Sequence, residues 1–168
     1  LYARGCSVLI GDLRIHASAK EWIKKVQRHS SPKVVFHQTD VADWKELDGL
    51  FDVCEKELGD APDIVIPAAG LYEPSTNTFW GDTDEGSHYK IFDINILHPI
   101  KISRIAIRRF RAAHKPGVIV HLSSITAQIP SAVNPLYSVS KQAISQFVRC
   151  MAPLEDLAGI RVVAVAPG

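Results

Sequence analysis

The chain has 168 residues, 46% hydrophobic and 22% charged, with 19 Lys and Arg against 18 Asp and Glu for a formal net charge of +1. That length predicts one globular domain, able to bury roughly 70% of the surface its unfolded chain exposes. There is no basic excess to suit nucleic acid, and the longest apolar stretches, such as Ile64 to Leu71, are far too short to span a bilayer.

The opening LYARG reads as the end of a helix with Gly5 as its stop, followed by a strand at Ser7–Gly11. Asp12 follows that strand and interrupts the opening before a signal-peptide core of useful length. A helical pattern at Ala19–Arg28 leads to a second strand at Val34–His37 and, after a short turn, to Asp40-Val41. Asp43 is placed to cap a helix over Trp44–Leu58, with Trp44, Leu47, Leu50, Phe51 and Cys54 on its apolar face. A third strand, Ile64–Ile66, runs into Pro67-Ala68-Ala69-Gly70, and the stretch Tyr72–Gly86 reads as a polar loop. A long helix is predicted from about Ile91 to Ala113, ended by Lys115-Pro116-Gly117 before a strand at Val118–Leu122. Asn134 reads as an N-cap with Pro135 at the first helical position, opening a helix to Ala158. A last strand, Val162–Val165, precedes Pro167-Gly168. Short, Val- and Ile-rich runs alternating with helices predict an α/β protein with a doubly wound, Rossmann-like parallel sheet.

Cys6, Cys54 and Cys150 are far apart, odd in number and form no C-x-x-C pair, so buried reduced thiols in a cytoplasmic protein are expected. None of the seven histidines falls in an H-x-x-x-H or H-E-x-x-H arrangement, and no metal site is expected.

The segment Tyr137 to Lys141, YSVSK, carries the most specific chemistry. Tyrosine and lysine four apart share one helix face. A free phenol is mostly protonated at neutral pH, and a neighbouring ammonium favours the phenolate, which can take or return a proton in alcohol and carbonyl chemistry. Placing Tyr137 in the first helical turn adds the positive end of the helix dipole. In an open parallel sheet, ligands bind beyond the carboxyl ends of the strands. Asp12 there reads equally as a loop carboxylate or as the acceptor for ribose hydroxyls. For Asp40, capping or turn formation is the default reading and a place beside adenine the alternative. Ala69-Gly70 is either a tight turn or a small-residue step that lets a flat cofactor approach the backbone.

Ordered together, these residues resemble the short-chain dehydrogenase/reductase family over almost the whole chain. The most specific block is Val118 to Lys141, where IVHLSSITA leads to LYSVSK, and DVADW with PLYSVSKQA is similar to prostaglandin-dehydrogenase-like members. Asp12, Asp40-Val41, Ala69-Gly70, Asp93–Asn95 and Pro167-Gly168 follow in the family's order. The resemblance implies Tyr137 as general acid/base and Lys141 as its activator and a holder of the nicotinamide ribose. It implies Ser124, rather than Ser123, on the substrate oxygen, and Asn95 in a water-linked relay ending at Lys141. It implies a nicotinamide cofactor in contact with Asp12, Asp40, Val41, Ala69, Gly70, Asn95, Tyr137, Lys141, Pro167 and Gly168, with Asp12 favouring NAD over NADP. The implied activity interconverts a secondary alcohol and a ketone. The loop Ile125–Leu136, with Ile129, Pro130, Ala132 and Val133, suggests a small apolar substrate, and the long helices suggest a homodimer or homotetramer.

Two departures qualify that expectation. Pro67-Ala68 stands where the family has two asparagines, and the first strand with its glycine-rich turn and the C-terminal segment lie outside this sequence. The sequence therefore reads as a partial domain over 1–168. Its alternatives are a non-catalytic dinucleotide-binding or interaction protein on the same fold, and an NADP-dependent ketoreductase.

Overall fold

Val8–Asp12 (β1) and Val34–Gln38 (β2) pair in parallel, Val8 opposite Val34 and Asp12 opposite Gln38. The computed structural model to which they belong describes residues 1–27, 32–73, 78–82 and 88–168. Two compact units divide the chain, Leu1–Pro62 and Asp63–Gly168.

In the first unit, a short 3₁₀ turn at Tyr2–Arg4 ends on Gly5, whose φ of 83° is the left-handed conformation that glycine adopts without strain. Helix α1, Ala17–Val26, turns Ile23 and Val26 onto Val34, with Tyr2, Ile10, Ile15 and Phe36 around them. It begins two residues before the predicted span, and position 28 lies outside the described residues. Helix α2, Trp44–Leu58, has the predicted limits for the predicted reason: the Asp43 carboxylate accepts the Lys45 and Glu46 amides at 2.7 and 3.3 Å. Leu47, Phe51 and Cys54 are buried, whereas Trp44 is exposed.

In the second unit, β3 (Ile64–Val65), β4 (Gly117–Leu122) and β5 (Ile160–Val165) form a parallel sheet in that order, Ile64 opposite Val118 and Gly117 opposite Ile160. The strand expected to reach Ile66 stops at Val65. Pro67 comes directly after Ile66, and a residue without an N–H cannot extend a ladder.

The helix expected over Ile91–Ala113 is three segments: α3, Lys90–Phe92; a π turn, Asp93–Leu97; and α4, His98–Ala112. The His98 N–H reaches back five residues to the Asp93 carbonyl. Proline 99 supplies a cause, having no N–H for the Asn95 carbonyl four residues back. Ile102, Ile105, Ala106 and Phe110 bury the inner face of α4. Helix α5, Pro135–Met151, ends earlier than predicted, and a short α6, Leu154–Ala158, follows Pro153 and stops at left-handed Gly159. Ile94, Ile105 and Ile144 are buried, and Leu97 is exposed.

Two histidines are buried in this unit. The Ser103 hydroxyl donates to the Pro99 carbonyl at 2.6 Å, which leaves its oxygen as acceptor for His121 Nε2–H at 3.1 Å. His121 Nδ1 is buried with no hydrogen-bond partner among the described residues. Burial, and then the neighbouring His98, push the His121 ring down to about 4. Burial also lowers His98, whose Nδ1 lies 3.2 Å from the Ile94 carbonyl oxygen.

Candidate active site

The carboxyl ends of β3, β4 and β5 share one edge of their sheet, because all three run parallel. Three segments leave that edge: Pro67–Gly70, Ser123-Ser124 and Pro167-Gly168. An open groove lined by Asp63, Gly117, Gly159 and Arg161 lies at the opposite, amino end of the strands and includes none of the predicted site residues.

Helix α5 brings Tyr137 and Lys141 to the site edge. Lys141 is buried, and its ammonium donates to the carbonyl of Leu122, the last residue of β4, at 2.8 Å. The same nitrogen lies 5.4 Å from the centre of the Tyr137 ring. Burial moves its protonation equilibrium below the usual lysine range.

The two adjacent serines have different surroundings. Ser123 Oγ donates to the Lys141 carbonyl at 3.2 Å and shares a 2.7 Å hydrogen bond with Ser145, tying β4 to α5. Ser124 caps the 3₁₀ turn Ile125–Ala127, its Oγ accepting the Thr126 amide at 3.3 Å. The Ile125 amide in turn donates to the Pro167 carbonyl at 2.9 Å, which fixes the Pro167-Gly168 segment beside this turn.

Asn95, inside the π turn, grips the chain just beyond Gly70. Its oxygen accepts the Leu71 amide at 2.8 Å, and its nitrogen donates to the Leu71 carbonyl at 2.9 Å and to Ser140 Oγ at 3.1 Å. Ser140 passes its own proton to the Tyr137 carbonyl at 2.7 Å. A Cβ placed on Gly70 would stand 3.5 Å from Asn95 Oδ1 and 3.9 Å from Lys141 Nζ, so the backbone is bare beside both groups. Ala69, next to it, is half-buried.

The second unit thus assembles Gly70, Asn95, Ser124, Tyr137, Lys141, Pro167 and Gly168. Asp12, Asp40 and Val41 belong to the first unit. Asp12 is exposed at the end of β1, and its carboxylate accepts the Arg14 amide at 3.2 Å. The Asp40 carboxylate closes a turn on the Ala42 amide at 2.9 Å, its own amide donates to Glu46 at 2.6 Å, and Val41 is buried.

The structure corrects one local expectation. Asn134 occupies the N-cap position, but its side chain does not cap α5: Nδ2 donates to the Tyr72 hydroxyl at 3.1 Å instead. The cap comes from Glu73, which is fully buried and accepts the Tyr137 amide at 3.1 Å through one carboxylate oxygen. Its other oxygen accepts the Phe79 amide at 2.9 Å. Tyr72 sets its ring edge-on to Tyr137, centroids 4.9 Å apart, and the Trp80 indole donates to the Ala132 carbonyl at 2.6 Å. Sequence reasoning passed over Glu73 as part of a polar loop. At 64 positions from Tyr137 no local spacing links the two, and a lone acidic residue three after a glycine carries no motif.

Comparison with known proteins follows from this geometry. A family profile described as short chain dehydrogenase matches residues 1–168. The chain is 29% identical to a cis-4-hydroxycyclohexanecarboxylate dehydrogenase of Sinomonas cyclohexanicum over 168 residues, covering all of this chain and 65% of that protein. It is 26% identical to the human 15-hydroxyprostaglandin dehydrogenase [NAD(+)] over 172 residues, covering 60% of that protein. It therefore spans less than two thirds of the length of these curated relatives. The crystal structure of a short chain dehydrogenase from Mycobacterium smegmatis superposes with a TM-score of 0.82 at 23% identity, over 96% of this chain and 65% of that one. This last likeness bears on the fold, a Rossmann-like parallel α/β arrangement. The profile match over residues 1–168 bears on descent: the chain belongs to the short-chain dehydrogenase family.

Proposed function

We propose that the protein is an oxidoreductase that interconverts a secondary alcohol and a ketone, with NAD as cofactor. The observation that carries this reading is the buried Lys141 ammonium, 5.4 Å from the Tyr137 ring and beside the bare backbone of Gly70. The relatives, named as dehydrogenases of hydroxylated compounds, support it.

In this reading Tyr137 takes the hydroxyl proton at its phenolic oxygen during oxidation and returns it during reduction. Lys141 stabilises the phenolate electrostatically, and Ser124 donates to the substrate oxygen as charge develops there. Asn95 holds the Leu71 backbone, keeping Gly70 in place next to Lys141, and so braces the strand end where Pro67-Ala68 replaces the family's asparagines. A bound nicotinamide supplies the hydride acceptor or donor. Gly70, Lys141, Pro167 and Gly168 suit its nicotinamide half. On the first unit, taken by itself, Val41, Asp40 and the exposed Asp12 suit an adenosine group, the Asp12 carboxylate accepting ribose hydroxyls and repelling a 2′-phosphate. The exposed side chains of Phe79, Trp80, Ile129 and Val133 favour an apolar alcohol or ketone. A homodimer or homotetramer in the cytoplasm is the assembly we propose, in keeping with the reduced thiols of Cys6, Cys54 and Cys150. Among the described residues no helix is long and apolar enough to cross a membrane.

The test is Tyr137→Phe in the full-length protein, assayed on a panel of apolar secondary alcohols with NAD and NADP side by side. Turnover should fall by about 10²–10⁴-fold while the unfolding midpoint stays near that of the parent, and the parent should prefer NAD. Near-parental activity in the variant would sink the reading. Cofactor binding without turnover by the parent would instead favour a dinucleotide-binding protein without catalysis, and preference for NADP a ketoreductase.

A further inference from the structure

We propose that Glu73 is a positioning residue that sets Tyr137 against an aromatic substrate wall formed by Phe79 and Trp80, an inference that rests on the oxidoreductase reading. A carboxylate only accepts hydrogen bonds, and Glu73 divides its two oxygens between two backbone donors from separate segments, Tyr137 at 3.1 Å and Phe79 at 2.9 Å. The Tyr137 amide is one of the donors that the first turn of a helix leaves without an intrahelical partner, and an anion there is also favoured by the helix dipole. Ordinarily the N-cap side chain serves such a donor. Here the Asn134 nitrogen donates to Tyr72 and its oxygen accepts from Ser138 Oγ, so the anchor comes from the segment that faces the site.

Leu71, Tyr72 and Glu73 are each held in place. Asn95 fixes Leu71 through both backbone groups, Tyr72 lies edge-on against the Tyr137 ring, and Glu73 is fully buried. Beyond it, the Phe79 ring meets Trp80 edge-on at 4.9 Å, and the Trp80 indole reaches the Ala132 carbonyl in the apolar loop before α5. Phe79 and Trp80 nevertheless remain 47% and 70% exposed, so their faces are open to a ligand. One buried carboxylate thereby joins the acid–base tyrosine to the surface on which an apolar substrate would lie. Glutamine offers one acceptor oxygen and an amide that would confront an N–H, so it keeps one of the two bonds. Alanine keeps neither.

The experiment compares Glu73→Gln and Glu73→Ala with the parent full-length protein. Amide exchange at Tyr137 and Phe79 reports the clamp directly, kcat and KM report alignment, and cofactor titration reports the neighbouring site. Exchange should speed up at one of the two amides in Glu73→Gln and at both in Glu73→Ala. For a bulky apolar alcohol kcat should fall, by about 10²-fold in Glu73→Ala, as misplacement of a reacting group by an ångström would give. A small alcohol, which does not need the wall, should lose less, and the cofactor dissociation constant should stay within about twofold, since the clamp touches neither Gly70 nor Lys141. Unchanged protection of both amides overturns the proposal whatever the activity. So does an equal loss for small and bulky alcohols accompanied by weaker cofactor binding, the pattern of general destabilisation. A parent protein that turns over no alcohol defeats the oxidoreductase reading instead, and amide exchange then still decides whether Glu73 fixes the two segments.

Discussion

His121 sits in the core as a neutral ring, one nitrogen bonded to Ser103 and the other without a partner among the described residues. Protonating that second nitrogen places a charge where nothing receives it, close to His98 and edge-on to the Phe147 ring. The unfolded ring takes a proton near 6.5, the folded ring only near about 4. Between those values the unfolded state binds more protons, so stability is full above pH 6.5 and is lost as pH falls toward 4, by about 3 kcal/mol for this ring. His98, lowered by the same cause, adds loss in the same direction. Urea unfolding from pH 7 to 4 should show this decline, and His121→Gln should flatten it. At this scale the sequence was informative wherever chemistry has a short period: Tyr137 and Lys141 share a face because they are four apart, and Asp43 caps what immediately follows it. Glu73 was invisible because its partners are brought to it by the fold.

Gly117, at the start of β4, shows how closely an element can depend on one missing side chain. A Cβ there would come within 2.3 Å of the Phe110 ring, which is fully buried on α4. Helix and strand meet across a space that only hydrogen leaves open. Gly117→Ala should therefore cost about 1–3 kcal/mol through overpacking, read as a lower urea midpoint with an unchanged m-value. The elements were legible in the sequence to within a few residues, because β-branched runs between helical patterns leave few alternatives. What escaped was the effect of two prolines whose positions were plain. Pro99 accompanies the π register, and Pro153 separates α5 from α6. Apolar periodicity continues across both of them and hides the break.

At the scale of the whole molecule, the first unit is Leu1–Pro62 with a sheet of two strands, β1 and β2. A two-stranded sheet is marginal by itself, and chains of about 60 residues bury a smaller share of their surface than larger domains do. We propose that the two units unfold together as one dinucleotide-binding domain. Calorimetry of the full-length protein should give a single transition whose calorimetric and van't Hoff enthalpies agree, and two resolved transitions would refute it. The succession of strands along the chain and the family were readable from the sequence because motifs recur in sequence order at strand ends. The division into two units was not, since no composition shift or linker marks position 62. The π turn at Asp93–Leu97 has a further consequence for how such a chain can change in length. A turn closed five residues back holds one residue more than the α turn it replaces, so it stores a surplus within a helix whose flanks stay in register. Deleting one residue between Asn95 and His98, with α4 kept over its core, should turn the Asn95 side chain away from Leu71, and faster amide exchange at Leu71 would report it.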